Sequence, residues 1–338
     1  MTTIYFYAPK ELLKKLKLQE LENNFQWEQI AEARRFASGN FTSWILTTYL
    51  QVKKSELSCQ FIDYIPEKGI LIADRDTLGN KYPYLGKTML ICPKGDREFH
   101  PSAHLHVVHN PLQFKDQQNK LWNPYYIPHW PQPGLKPREE RRGSTVKSVA
   151  FIGSRSNLTK EFKSDQWLSA LKELDCEWIP IFSQSNWSYY SKIDVIVAVR
   201  SFDGRIYPNK PASKLVNAWK AGVPAILTPE SAFIDLRKSE LDFLIVNSIE
   251  EAINAVAKLK NSPELYTSII NNGLKRAQEF SIENITKSWL DFFKSHVFPE
   301  YANWIKASEA SRILFFIKRY SKLKINRMKK RVFRVPDI

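Results

Sequence analysis

From Val146 to Phe280 the chain repeats one pattern: a short apolar run, mostly rich in Val and Ile, then a polar loop, then apolar residues at helical spacing. Apolar runs fall at 149–152, 178–182, 193–199, 225–228 and 243–246. Between them lie helical stretches: one with Trp167, Leu168, Leu171 and Leu174 on a shared face, and others at about 212–220, 231–239, 249–259 and 263–279. Strands alternating with helices in this way form a parallel sheet covered on both faces, whose ligands bind beyond the carboxyl ends of the strands. The pattern predicts a doubly wound α/β domain over 146–290.

The 338 residues exceed what one ordinary core organises, so a second domain is expected. Runs at 4–7, 60–63, 69–73, 88–92 and 105–108, with a helix at 44–52, predict a smaller α/β domain over 1–130. Pro128, Pro131, Pro133 and Pro137 forbid helix and central strand alike, which reads 131–145 as a stiff linker. Residues 291–338 read as C-terminal helices and a basic tail. The longest apolar runs are far shorter than the roughly 20 residues of a membrane span, and the start lacks the pattern of a secretory leader. Three scattered cysteines make neither a disulfide framework nor a zinc site. A cytoplasmic protein is expected.

The net charge is +15, of which +9 comes from Ala310 onward, where ten Lys or Arg face one acid, Asp337. There the cations alternate with Ile313, Leu314, Phe316, Ile317, Tyr320, Leu323, Met328, Val332 and Phe333, part of them at helical spacing. The pattern suits a helix on the anionic inner face of a membrane, giving peripheral attachment. Packing onto the N-terminal domain is the second reading, and nucleic-acid binding the weakest.

The segment 194–224, DVIVAVRSFDGRIYPNKPASKLVNAWKAGVP, carries the most chemistry. A buried strand ends at Arg200, a loop with Asn209 and Lys210 follows, and Pro211 opens a helix bearing Ser213, Lys214 and Asn217. A helix start flanked by Arg and Lys at the carboxyl edge of a sheet is suited to a diphosphate. The bland alternative pairs Arg200 with Asp203 and leaves Lys214 in solvent. After the first strand of the same domain, Gly153 permits close backbone approach and Ser154, Arg155 or Asn157 can bond a phosphate or base.

In the N-terminal half, His100, His104, His106 and His109 lie within ten residues. Without nearby Cys or closely spaced acids, packing is favoured over a metal site, with a strand-end histidine, His100 or His109, left for catalysis. Asp74 and Asp76 follow a strand and could take a proton from an acceptor hydroxyl. The alternative is a turn in which Arg75 offsets both carboxylates.

At 200–224 the chain resembles the GT-B glycosyltransferases, whose C-terminal domain shows a lysine at a helix start, then Ala, then Gly-x-Pro, here Lys214, Ala218 and Gly222 to Pro224. The resemblance covers about 151–292. It implies two Rossmann-like domains with a cleft between them, and a lysine and an upstream arginine, here Lys214 and Arg200, holding the donor diphosphate in place of a metal. No cofactor is then needed beyond the nucleoside diphosphate sugar itself. It also implies transfer to a glycan or lipid-linked acceptor in glycan or envelope polysaccharide synthesis. Where many retaining members carry two glutamates eight residues apart, this chain has Asn209 and Asn217, which can bond a hydroxyl without adding charge. The alternatives are a sugar-nucleotide epimerase on the same fold and a non-catalytic nucleotide-sugar-binding protein.

Overall fold

The computed structural model describes residues 2–23, 26–33 and 36–333. Arg334 and Asp337, both counted in the basic tail, lie outside the described residues. The chain divides into two compact units. The first comprises Met1–Trp130, Asn209–Pro211 and Ile282–Ile338, and the second Pro131–Pro208 and Ala212–Ser281.

The first unit is built on six strands: β1 (Ile4–Tyr7), β2 (Cys59–Ile62), β3 (Lys68–Ile72), β4 (Lys87–Pro93), β5 (Ala103–Val108) and β6 (Pro124–Tyr126). They form one parallel sheet in the order β2-β1-β3-β4-β5-β6. The sequence pattern misses β6 because it opens on a proline, which a sheet accepts at the first residue of an edge strand. Phe6, Trp44, Tyr49 and Trp130 fill the core on one face, together with Ile285, Trp289, Phe292 and Phe293 from the chain's last third. The helix Ile282–Phe292 thus belongs to the first unit, although the sequence pattern runs the C-terminal domain to 290. Its buried Ile285, Trp289 and Phe292 are spaced to share one helical face, and that face completes the first core.

The second unit carries β7 (Ser148–Ile152), β8 (Glu177–Ile181), β9 (Val195–Ala198), β10 (Ala225–Leu227) and β11 (Leu244–Ile245). All five run parallel in the order β11-β10-β9-β7-β8, with a hydrophobic cluster on each face of the sheet. The Pro-rich stretch 131–145 is part of this unit. Arg138 and Arg142 reach the fully buried carboxylate of Asp194 at 2.9 and 2.7 Å, and the Arg138 N–H donates to the Ala221 carbonyl at 2.9 Å. Burial pushes the Asp194 carboxyl up, but hydrogen bonds from Arg142 and from the Lys147 and Ser148 N–H groups outweigh it and hold the group at about 2. The stretch is a strap fastened by two arginines.

The basic tail forms a single helix, Glu309–Phe333, packed within the first unit. Arg319 is 1% exposed and donates to the carbonyls of Ala103 and His104, while Arg327 pairs with Glu98 and bonds the Tyr82 hydroxyl at 2.6 Å. Among the described residues no helix is long and apolar enough to cross a membrane.

Candidate functional site

In the second unit the chain steps from β7 out to β8, then returns to the other side of β7 to lay down β9, β10 and β11. The carboxyl ends of β7 and β9 therefore flank a topological switch point, the place where open α/β sheets bind ligands. Gly153 follows β7 there with φ +153°, and a Cβ on it would strike the Lys214 ammonium. Lys214 Nζ donates to the Ile152 carbonyl at 2.7 Å and lies 4.9 Å from the centre of the Phe151 ring. Residues far apart in sequence thus bring a cation to the end of β7, in space that only a glycine leaves.

The helix bearing Lys214 spans Ser213–Ala221, two residues later than its Pro211 suggests. Its N-cap, Ala212, offers no side-chain hydrogen bond to the N–H groups of the first turn. It ends at Gly222, whose φ of +66° gives the left-handed turn that glycine adopts without strain.

Arg200, just past β9, pairs with Glu230, which is 2% exposed and sits just past β10. Asp203, its partner in the bland alternative, instead pairs with Arg205 at 2.6 Å and bonds Ser201. The Arg200 guanidinium also lies 5.4 Å from the ring centre of Tyr207, a non-glycine residue held at φ +46°. Such backbone strain in a bulky residue persists only where its surroundings impose it. Glu230 is the residue that sequence reasoning missed. Its signal is the TPES that follows the 225–228 run, a carboxylate at the carboxyl end of the strand next to that of Arg200.

Ser154 and Asn157 are half-buried around the turn Arg155–Asn157, with the Asn157 N–H on the Ser154 carbonyl at 2.9 Å. Asn217 is hydrogen-bonded to the buried Tyr190, whose hydroxyl burial pushes upward in pKa. Asn209 and Lys210 belong to the first unit, while Ser213, Lys214 and Asn217 belong to the second. The Asn209 side-chain oxygen accepts from Lys94 at 3.1 Å and from Gln113, and Lys210 pairs with Asp96 at 2.5 Å. The donor-site candidates of the sequence thus separate into two groups.

The acceptor-side candidates all lie in the first unit. Asp74 is fully buried and caps the one-turn helix Arg75–Leu78, accepting from the N–H groups of Asp76 and Thr77 at 3.0 and 3.1 Å. Burial raises its carboxyl despite the Thr77 bonds. Asp76 is partly exposed, paired with Arg97 at 2.7 Å and bonded by Asn40. Arg75 pairs with neither aspartate: its guanidinium bonds the carbonyls of Glu98 and Gly79 and the Asn80 side chain.

His109 is stacked 4.4 Å from Trp44, and burial, with the neighbouring His129, Lys94 and Lys210, holds its imidazole well below the ordinary range. The other three histidines of the run are also buried. His106 Nδ1 donates to the Trp122 carbonyl at 2.7 Å and Nε2 accepts the His100 N–H at 2.9 Å, so this ring is a satisfied core bridge. His104 accepts the Leu90 N–H at 3.0 Å, and His100 bonds the Lys81 carbonyl at 3.0 Å. Among the described residues no group of three His, Cys, Asp or Glu could hold a metal ion.

No family model matches the chain, and no curated protein matches its sequence. Solved structures do resemble it. HepE of Anabaena, in complex with UDP and glucose, is 10% identical with a TM-score of 0.51, over 87% of this chain and 100% of HepE. A glycosyltransferase of Rickettsia africae is 11% identical (TM-score 0.47, over 91% of this chain and 99% of its own). The pneumococcal O-GlcNAc transferase GtfA, in complex with UDP and GlcNAc, is 13% identical (TM-score 0.48, over 67% and 56%). Two Rossmann-like units with parallel sheets, matched along the whole length of HepE, give this chain the GT-B fold.

Proposed function

We propose that the chain is a glycosyltransferase that moves a sugar from a nucleoside diphosphate donor to an acceptor hydroxyl. The donor diphosphate binds in the second unit at the carboxyl ends of β7 and β9. One observation carries this reading: the Lys214 ammonium occupies the space that Gly153 leaves at the switch point. A hydrogen bond from an ammonium to a diphosphate oxygen is charge-assisted on both sides and stronger than one to a neutral carbonyl, which favours a diphosphate at Lys214. HepE, whose fold this chain shares, was solved with UDP and glucose.

As the bond between sugar and diphosphate breaks, negative charge grows on the departing oxygen. Lys214, Arg200 and the start of the Ser213–Ala221 helix stabilise that charge in the transition state without a metal. Glu230 keeps Arg200 aimed at the strand ends and offsets its charge while no anion is bound. On the first unit, Asp76 is the candidate base for the acceptor proton, because Asp74 is spent as a helix cap and His109 is buried. The acceptor class that fits is a glycan or lipid-linked hydroxyl used in envelope polysaccharide synthesis.

Calorimetric titration with nucleoside diphosphates, followed by transfer assays with the matching nucleotide sugars, tests the reading. Lys214→Ala is expected to weaken diphosphate binding about 10- to 100-fold while the melting temperature stays within about 2 °C. Unchanged affinity would remove Lys214 from the site. Tight binding with no transfer to any acceptor would make the protein a binding module.

A further inference from the structure

The helix Glu309–Phe333 turns an aliphatic stripe to water. The side turned to the protein carries Arg312, Arg319 and Arg327 around Leu323, all buried or half-buried. The side turned to water carries Leu314, Ile317, Ser321, Ile325, Met328 and Val332, spaced 3, 4, 4, 3 and 4 residues apart and so aligned along one face. The five apolar members are 44–68% exposed. At 1.5 Å per residue the stripe runs for about 27 Å. Exposed cations border it on both sides, Lys318 and Lys329 along one edge and Lys324 and Arg331 along the other. From Ala310 to Phe333 there is no acidic residue.

We propose that this outward face docks the protein on an anionic lipid surface, with the aliphatic stripe in the boundary between headgroups and acyl chains and the flanking cations on lipid phosphates. A bilayer takes up both features at once. A second copy of the chain would set stripe against stripe, but cations would then meet cations, with no acid between Ala310 and Phe333 to pair them. Nucleic acid would use the charge and leave the aliphatics in water, since Phe315, Phe316 and Tyr320 are half-buried and turned from this face. The inward arginines give the docking its character. Arg319 on the Ala103 and His104 carbonyls and Arg327 on Glu98 and Tyr82 hold the helix to the unit, so the membrane meets a preformed face. The proposal does not depend on the transferase reading.

Sedimentation of the full chain with vesicles tests it, phosphatidylcholine mixed with phosphatidylglycerol against phosphatidylcholine alone. Binding is expected to the mixed vesicles only, and to weaken with salt. The triple variant Leu314→Ser, Ile325→Ser, Met328→Ser is expected to bind about tenfold or more weakly, with an unchanged melting temperature because all three side chains face water. Lys318→Glu with Lys324→Glu and Lys329→Glu is expected to lose binding as well. Undiminished binding of the serine variant overturns the proposal, as does equal binding to neutral vesicles. A dimer that the serine changes dissolve, without vesicle binding, assigns the face to a second copy. RNA affinity lost with the lysines but kept by the serine variant, again without vesicle binding, assigns it to nucleic acid.

Discussion

The two sheets share one winding: β2 lies outside β1 and β8 outside β7 before the chain turns back, so each unit has a switch point. The polar groups at the two points are arranged in opposite ways. Beyond β3, Asp74 is used up by a helix turn, Asp76 is paired with Arg97, and Arg75 spends its guanidinium on neighbouring carbonyls and Asn80. Beyond β7 and β9, Lys214 rests on a strand carbonyl and Arg200 on a single carboxylate, beside a glycine and a helix start. The same topology thus ends in side chains engaged with their neighbours in one unit and, in the other, in the two cations to which the proposed diphosphate site is assigned.

The units also differ in their response to acid, and here the largest effect is expected. All six histidines lie in the first unit. Burial, with the charge of Arg75, lowers His100 to about 4, while burial and nearby cations hold His104, His106 and His109 well below their ordinary value. An unfolded histidine titrates near 6.5, so below that pH the unfolded chain binds more protons than the folded one. Stability of the first unit therefore falls as pH drops from about 6.5 toward about 4, by about 1.4 kcal/mol per pH unit for each histidine. The second unit has no histidine, and Asp194, depressed to about 2, supports it until the pH falls below the ordinary carboxylate range near 3.9. Hydrogen–deuterium exchange at stepwise lower pH is expected to show first-unit peptides losing protection first. Simultaneous loss would break the comparison.

Next in size, Asp194→Ala strands the Arg138 and Arg142 guanidinium groups and is expected to cost the second unit about 3–5 kcal/mol in denaturant unfolding. The strap at 131–145 is expected to exchange freely while the sheet of the first unit keeps its protection. Gly153→Ala pushes a methyl group at the Lys214 ammonium and sharpens the contrast between the two edges. It is expected to weaken diphosphate binding about tenfold, near 1.4 kcal/mol, by calorimetry. Asp74→Ala removes a helix cap from the first unit's switch point, for about 1 kcal/mol of stability by thermal unfolding. The partly exposed Asp76→Asn is expected to change stability by less than about 0.5 kcal/mol. If Asp76→Asn also left sugar transfer intact, its place as the base would be lost.

Much of the fold was legible because buried parallel strands are short Val- and Ile-rich runs, and nearly every predicted run lies within two residues of an observed strand. The helix Ile282–Phe292 reads as helix from its spacing, but spacing does not say which core it completes. Lys214 and Arg200 were legible because a strand end followed by a helix start is a local pattern. Glu230 was not, since its meaning depends on β10 lying beside β9.

What the sequence alone determined is the periodic: which stretches are strands and helices, that two units form, and that cations gather near one strand end and along the tail. What only the tertiary structure decided is partnership. Lys214 meets Gly153 because β7 lies at the switch point, the Pro-rich strap is bound by Asp194, and the tail turns Arg312, Arg319 and Arg327 inward and Leu314, Ile317, Ile325, Met328 and Val332 out. The physical reason is range. Periodicity is read within a few residues, whereas an ion pair or a missing Cβ acts across whatever distance in sequence the fold has closed.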